Sequence, residues 1–314
     1  MFYGGDRRAA YLISLQIMTC RQSPKSCINW RMETTLHRQL KEYFCEPGAR
    51  IEVPLGRYRI DVVNGDRLVE IQRSGLAAIR DKVNKLVCDG YQVDVVKPLV
   101  ARKRLVKLTS IDGIETSRRW SPLKATMLNV FDELLYFTRV FPHPNLRMLI
   151  PLVDVEEIRY PGHGRRRRKR KSDFEVKDRL MLDIHETRIF KSVIDLQQLL
   201  PDDLPKTFDT SELAKGLGVP RHQAQRIGYV LRKTGVAKEV GKRGNAILYR
   251  LVTKRQAAAA LKKKQPKVKR TIDLDAKQSG SLKPAAVKKP VKRRKTTIAK
   301  SAAKKSSRSR KKAA

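Results

Sequence analysis

The sequence predicts an α/β fold with a mixed sheet, followed by a small helical unit and a basic tail. Three observations lead to this prediction. A helix, a three-strand meander, a second helix and a fourth strand follow one another over residues 33–96. The fourth strand is reached by a helical crossover, which implies a parallel pair next to the antiparallel hairpin. Two helices and a second hairpin follow within residues 190–252, and Lys, Ala, Ser, Pro and Thr dominate afterwards.

The first helix is predicted over residues 33–46, because Leu36, Leu40 and Phe44 recur at helical spacing before a Pro-Gly pair. Three strands are predicted next, at residues 51–54, 58–63 and 67–72. A second helix over residues 74–88 has one apolar side and stops at an Asp-Gly pair. The segment 91–96 then predicts a buried strand.

The dipeptide Asn64-Gly65 is a strong signal for a two-residue hairpin loop. With this loop, Val63 pairs with Asp66 and Asp61 pairs with Leu68. Because side chains alternate along a strand, Asp61, Glu70 and Gln72 then share one face. Asp61 and Glu70 would be diagonal neighbours, roughly 7–8 Å apart at the backbone.

Two carboxylates at this separation are able to close on one cation. Mg²⁺ takes oxygen ligands and tolerates a carboxylate pair completed by waters. Glu33, on the first helix, is a candidate third acid. The alternative interpretation is that Asp61 and Glu70 are ordinary solvent-facing acids on an amphipathic hairpin.

Glu33, Asp61 and Glu70-Ile71-Gln72, on a helix–meander–helix–strand frame, resemble the PD-(D/E)XK nuclease superfamily over residues 32–98. The resemblance implies a restriction-endonuclease-like core in which Asp61 and Glu70 bind catalytic Mg²⁺. It also implies that Gln72 orients the attacking water and that Glu33 supports the ion. The superfamily usually has Lys where this chain has Gln72, and Lys82 or Lys85 on the next helix would have to reach back. Many resolvase-like members are dimers, so the resemblance also implies a homodimer.

Residues 190–252 resemble the winged helix-turn-helix family, with Pro220 opening the second helix and Gly235 closing it. In that family the second helix enters the major groove of DNA and the hairpin touches the backbone. The residues expected to contact DNA are Arg221, His222, Gln225, Arg232, Lys242 and Arg243. A winged helix used for protein contact is the alternative.

The chain carries 70 Lys+Arg and 31 Asp+Glu, a formal net charge of +39. Residues 253–314 account for +21 and the rest for +18, which argues against a neutral enzyme with a basic tag. Such a charge points to a polyanionic partner, and nucleic acid, with DNA favoured, is the expected one. A second cluster, expected to bind phosphate from a solvated loop, consists of Arg165, Arg166, Arg167, Arg168, Lys169, Arg170 and Lys171.

Five segments follow from these patterns. They are a poorly ordered leader (1–31), a nuclease-like α/β domain with an extension (32–160), a basic loop and connector (161–189), a winged helix (190–252) and a disordered tail resembling those of linker histones (253–314). The four cysteines have neither zinc-finger spacing nor a disulfide pattern. No apolar run suits a bilayer, so the expected location is the cytoplasm, in association with the nucleoid, or the nucleus if the source is eukaryotic.

Two functions remain open at this stage. The first is a Mg²⁺-dependent nuclease that hydrolyses phosphodiester bonds in DNA. The second is a chromosome-associated or regulatory DNA-binding protein whose nuclease-like fold has lost catalysis. Gln72 and the large sequence-independent charge favour the second function.

Overall fold

The computed structural model describes residues 33–162 and 173–263, which belong to one compact unit. The helices are α1 (Thr35–Tyr43), α2 (Arg80–Cys88), α3 (Val130–Leu134), α4 (Val193–Gln197), α5 (Thr210–Leu217), α6 (Arg221–Thr234) and α7 (Lys254–Lys263). The strands are β1 (Arg50–Leu55), β2 (Tyr58–Asn64), β3 (Arg67–Ile71), β4 (Gln92–Val96), β5 (Leu99–Leu108), β6 (Glu115–Trp120), β7 (Leu146–Pro161), β8 (Phe174–Phe190), β9 (Ala237–Arg243) and β10 (Ala246–Leu251). Within the described residues, no helix is long and apolar enough to cross a membrane.

One mixed sheet of eight strands forms the centre of the structure. β1, β2 and β3 form an antiparallel meander, and β4 lies parallel to β3. β7 continues the sheet parallel to β4, and β5 runs parallel to the later part of β7. β6 pairs with β5, and β8 pairs antiparallel with β7. The mixed α/β fold predicted from the sequence is therefore confirmed.

The β2–β3 hairpin turns one residue later than the sequence predicts. Asn64 pairs with Arg67 and Val62 with Val69, so the loop is Gly65-Asp66 and Gly65 takes a φ of +54°. The expected pairing of Asp61 with Leu68 is therefore wrong. Moving the turn by one residue changes the register by two, so the residues that do pair keep their predicted faces. The paired residues end at Val62↔Val69, so Asp61 and Glu70 lie just beyond them.

The two faces of the sheet are covered differently. Leu36 and Leu40 of α1 pack on one face, in a cluster with Val62, Val69, Ile71, Val96, Val153 and Val155. Alternate side chains of β3 point the other way, and there Lys82 of α2 reaches Glu70. The helices α1 and α2 therefore flank the strand pair that carries the two predicted acids.

The stretch 161–189 is mostly strand and not the connector expected from its sequence. β8 pairs with β7 from Met148↔Phe190 to Pro161↔Phe174, so it belongs to the central sheet. The strand was not predicted because its sequence is rich in charged residues. An edge strand with solvent on one side tolerates such residues. The basic run 165–171 follows β7 in the sequence and lies outside the described residues.

The C-terminal part consists of α4 to α7 and the β9–β10 hairpin. Asp209 caps α5 by accepting hydrogen bonds from the N–H groups of Ser211 (2.7 Å) and Glu212 (2.9 Å). Gly235 ends α6 in a left-handed conformation, as predicted. The predicted tail begins too early, because Lys254–Lys263 is a helix whose Ala257 is buried. Alanine and lysine are good helix formers, which explains the extension. Residues 264–314 lie outside the described residues.

Candidate active site on the meander

Asp61 lies where β2 and β3 separate. Beyond the Val62↔Val69 pair, the N–H of Ile71 donates to Oδ2 of Asp61 at 2.8 Å. Nε2 of His37, on α1, is 3.4 Å from Oδ1 of Asp61. Burial by itself raises the pKa of Asp61, but the contacts with His37 and the Ile71 N–H outweigh it, so this pKa is below its usual value. Asp61 is therefore held as a carboxylate.

Glu70 is one of the most buried charged residues, with 4% of its surface exposed. Nζ of Lys82 lies 2.5 Å from Oε1 of Glu70 and also donates to the carbonyl of Arg59 at 2.5 Å. Despite this ion pair, Oε1 makes no hydrogen bond of normal geometry with the described residues. Burial and the negative charge of Asp61 raise the pKa of Glu70 to about 7. Glu70 is thus poised to gain or lose a proton near neutral pH.

A buried lysine, Lys41 of α1, lies among the acids. Its Nζ is 2.8 Å from Oε1 of Glu33, 2.7 Å from Oε1 of Glu52 and 3.9 Å from Oδ1 of Asp61. Burial lowers the pKa of Lys41, but the hydrogen bonds and charges of these carboxylates outweigh it and raise the pKa overall. Glu33, Glu52 and Asp61 therefore converge on an ammonium group.

Glu52 belongs to the site although sequence reasoning missed it. Its φ of +56° is unusual for a residue other than glycine, and its Oε2 is 2.6 Å from a guanidinium nitrogen of Arg59. In contrast, Lys41 and His37 had a sequence signal. With Glu33 they recur every four residues, which marks a polar stripe along one helix. Nothing in the local sequence marks the backbone conformation of Glu52.

Gln72 was predicted to lie beside the carboxylates, but its side chain makes other contacts. Its Nε2 donates to Oγ of Ser74 at 2.5 Å and to the carbonyl of Gly75 at 3.1 Å. These bonds form because the chain turns immediately after β3. The cation beside Glu70 is instead Lys82, one of the two lysines considered from the sequence. The other, Lys85, is half exposed and pairs with Asp89 at 3.6 Å.

The donor chemistry fits a hard divalent cation. Asp61 and Glu70 supply carboxylate oxygens from neighbouring strands, and Oε1 of Glu70 is a buried acceptor without a normal hydrogen bond. Within the described residues, however, no group of three or more His, Cys, Asp or Glu side chains is already arranged for a metal. Lys41 and Lys82 lie among the acids, so a bound cation would displace one of these ammonium groups.

The candidate DNA-contacting residues of α6 lie together on its outer side. Arg221, His222 and Gln225 are exposed, and Tyr229, one turn further along α6, is 39% exposed. At the two edges of this surface, Arg226 pairs with Asp132 of α3 at 3.2 Å and Arg232 pairs with Glu239 of β9 at 2.9 Å. Arg232 is therefore less free than predicted.

The two candidate DNA-contacting residues of the hairpin also differ in whether an acid pairs with them. Lys242 is exposed at the end of β9, whereas Arg243 lies 3.0 Å from Oε1 of Glu212 at the start of α5. This exposed ion pair joins the end of β9 to the start of α5. The sequence predicted the cationic tip but not this pairing.

Comparisons with known proteins identify a family. The family described as "Domain of unknown function (DUF8091)" matches residues 34–191, which span the central sheet from α1 to the end of β8. A protein of Treponema pallidum (strain Nichols), described as "Uncharacterized protein", is 35% identical over 225 residues, which cover 71% of this chain and 87% of the relative. No solved structure matches the chain. The chain is a member of the DUF8091 family.

Proposed function

We propose that this protein is a Mg²⁺-dependent nuclease of the PD-(D/E)XK kind that acts on DNA. The observation that carries the proposal is that Asp61, where β2 and β3 separate, accepts a hydrogen bond from the N–H of Ile71, the residue after Glu70. Glu33, just before α1, pairs with Lys41 of that helix, and Lys82 of α2 pairs with Glu70. The order α1–β1–β2–β3–α2–β4, with β3 parallel to β4, also supports it.

Each residue of the site has a separate role in the proposed reaction. Asp61 and Glu70 would hold the cation, and Glu33 would support it through a water. Lys82 would carry the positive charge that the usual motif places two residues after the glutamate. Its ammonium lies next to Glu70, where it would stabilise negative charge developing on the phosphate. Bound Mg²⁺ would supply Lewis-acid chemistry and lower the pKa of a coordinated water.

The α5–α6–hairpin unit would bind the DNA as a winged helix. Arg221, His222 and Gln225 would face the major groove, and the hairpin with Lys242 would contact the backbone. The exposed row on α6 and the net charge of +39 support this assignment. The runs 165–171 and 264–314 would add sequence-independent phosphate contacts.

A non-catalytic DNA-binding protein is the second candidate function. It is favoured by Gln72, whose side chain is bonded to Ser74 and Gly75, and by Lys41, whose ammonium joins three carboxylates. In that case the ion pairs would serve only stability. The two candidates differ in one observable, which is metal-dependent cleavage.

The test is incubation of supercoiled, branched and single-stranded DNA with the protein in Mg²⁺ and in EDTA. The proposal expects cleavage in Mg²⁺ only, lost in Asp61→Asn. Lys82→Met should reduce the rate about 10²–10³-fold, as expected when one group that stabilises transition-state charge is removed. Lys85→Met is the matched control on the same helix and should cleave normally. Absence of cleavage on all three substrates, with DNA binding intact, would favour the second candidate.

A further inference from the structure

Lys41 is a buried cation held by carboxylates from three parts of the fold. Its Nζ donates to Oε1 of Glu52 at 2.7 Å and lies 2.8 Å from Oε1 of Glu33 and 3.9 Å from Oδ1 of Asp61. Glu33 belongs to the segment before α1, Glu52 to β1 and Asp61 to β2. Only 6% of the Lys41 side chain is exposed. Because a buried charge depends on close partners, these three carboxylates fix the position of the ammonium.

Glu52 contributes its carboxylate from a strained backbone. It lies within the antiparallel pairing of β1 with β2, but its φ of +56° is in the left-handed region. That conformation costs energy for a residue other than glycine, and it persists only where surrounding contacts impose it. Here the contacts include ion pairs with Lys41 and with Arg59. Backbone strain of this kind points to a functional arrangement rather than to an ordinary ion pair.

Lys82, the other ammonium group among the acids, is held by fewer carboxylates. It contacts that of Glu70 at 2.5 Å and donates to the carbonyl of Arg59 at 2.5 Å. Its side chain is 19% exposed, compared with 6% for Lys41. Oε1 of Glu70 makes no hydrogen bond of normal geometry with the described residues. A cation that binds Asp61 and Glu70 would therefore displace Lys82 from Glu70 and leave Lys41 in place.

We propose that Lys41 is a positioning residue whose ammonium takes the place of a second metal ion, so that the site binds a single divalent cation. In two-metal sites, the pair of ions stabilises the attacking and the leaving oxygen. A lysine supplies fixed positive charge without Lewis acidity or a bound water. Lys41 would therefore hold Glu33, Glu52 and Asp61 together, and the single ion would supply the metal chemistry. The inference rests on the proposed function, but the ion binding that it predicts can be measured without cleavage.

The experiment counts bound Mn²⁺ at pH 8 by electron paramagnetic resonance in wild type, Lys41→Met, Lys41→Arg and Lys85→Met. Methionine removes the charge of Lys41 and leaves the three carboxylates without their ammonium. Lys41→Met should therefore bind one Mn²⁺ more than wild type, and Mn²⁺ should raise its melting temperature more than that of wild type. Lys41→Arg keeps the charge and should bind as wild type does. Lys85→Met is the matched control, because Lys85 is a half-exposed lysine that pairs with Asp89, and it should also bind as wild type does.

A Lys41→Met variant that binds no more Mn²⁺ than wild type would overturn the inference, and so would an equal gain in Lys41→Arg or Lys85→Met. If Lys41→Met is unfolded in EDTA, circular dichroism in Mn²⁺ replaces the count. Recovery of the fold would then support the inference, and persistent unfolding would overturn it. Failure of the proposed function has a different result, namely wild-type protein that neither binds Mn²⁺ nor cleaves DNA. In that case the gain of an ion by Lys41→Met over wild type would still decide the role of Lys41.

Discussion

Replacing Glu70 by Gln tests the electrostatics of the site through protein stability. The glutamine has the shape of the protonated glutamate but never ionises. Burial and the charge of Asp61 raise the pKa of Glu70 to about 7, from an ordinary value of 4.5. Between these two pH values the folded protein keeps a proton that the unfolded chain has released. Wild-type stability therefore falls as pH rises from 4.5 to 7 and stays lower above 7.

The magnitude follows from the size of this shift. A difference of about 2.5 pH units, at 1.36 kcal/mol per unit, corresponds to about 3 kcal/mol. Glu70→Gln should therefore match wild type near pH 4 and exceed its free energy of unfolding by about 3 kcal/mol at pH 8. The burial of Glu70 (4% exposed) means that solvent screening reduces this value little. An ionised Glu70 therefore destabilises the fold on this account.

The assay is urea unfolding in EDTA at pH 3, 4, 5, 6, 7 and 8, followed by circular dichroism. Asp61→Asn is a control of opposite sign, because contacts with His37 and the Ile71 N–H keep the pKa of Asp61 below its usual value. It should be less stable than wild type at neutral pH, and the difference should shrink as pH falls below about 4. Equal stability of Glu70→Gln and wild type at pH 8 would refute the reasoning.

Three further predictions concern other parts of the chain. Deleting residues 264–314, which carry 19 Lys+Arg and 2 Asp, should flatten the salt dependence of DNA binding, by about 0.9 log units for each phosphate that the segment neutralises; an unchanged slope would exclude this segment from binding. Arg221→Ala and Gln225→Ala should each weaken DNA binding by about 1–3 kcal/mol in anisotropy titrations, and wild-type affinity in both would favour a protein-contact role. Asp209→Ala should cost about 1 kcal/mol in urea unfolding, because α5 loses its N-cap, whereas an unaltered midpoint would contradict that cap.

The order of elements through β4 could be read from the sequence because local signals agreed there. Apolar spacing marked α1 and α2, and alternation marked the strands. The turn itself was misplaced by one residue, since Asn64-Gly65 and Gly65-Asp66 are both good hairpin loops. That Asp61 and Glu70 share one face stays a prediction, because the paired residues of β2 and β3 end at Val62↔Val69.

The parts that could not be predicted depend on long-range contacts. The local sequence of β8 is rich in charged residues and therefore predicts a loop. Only its pairing with β7 shows that it is a strand. Lys41 contacts Glu52 through packing of α1 near β1, which no spacing rule encodes. The bonds from Gln72 to Ser74 and Gly75 depend on the turn after β3. The direction of the Gln72 side chain could therefore not be predicted from the sequence.

The central claim is that Asp61 and Glu70 hold a divalent cation in spite of the neighbouring ammonium groups. The most direct measurement is a titration of the protein with Mn²⁺ at pH 8, in which electron paramagnetic resonance reports the free ion. Mn²⁺ prefers the same oxygen ligands as Mg²⁺. We expect one bound ion per chain in wild type, and loss of that ion in both Asp61→Asn and Glu70→Gln. Wild-type protein that binds no Mn²⁺, or variants that bind it as wild type does, would contradict the claim.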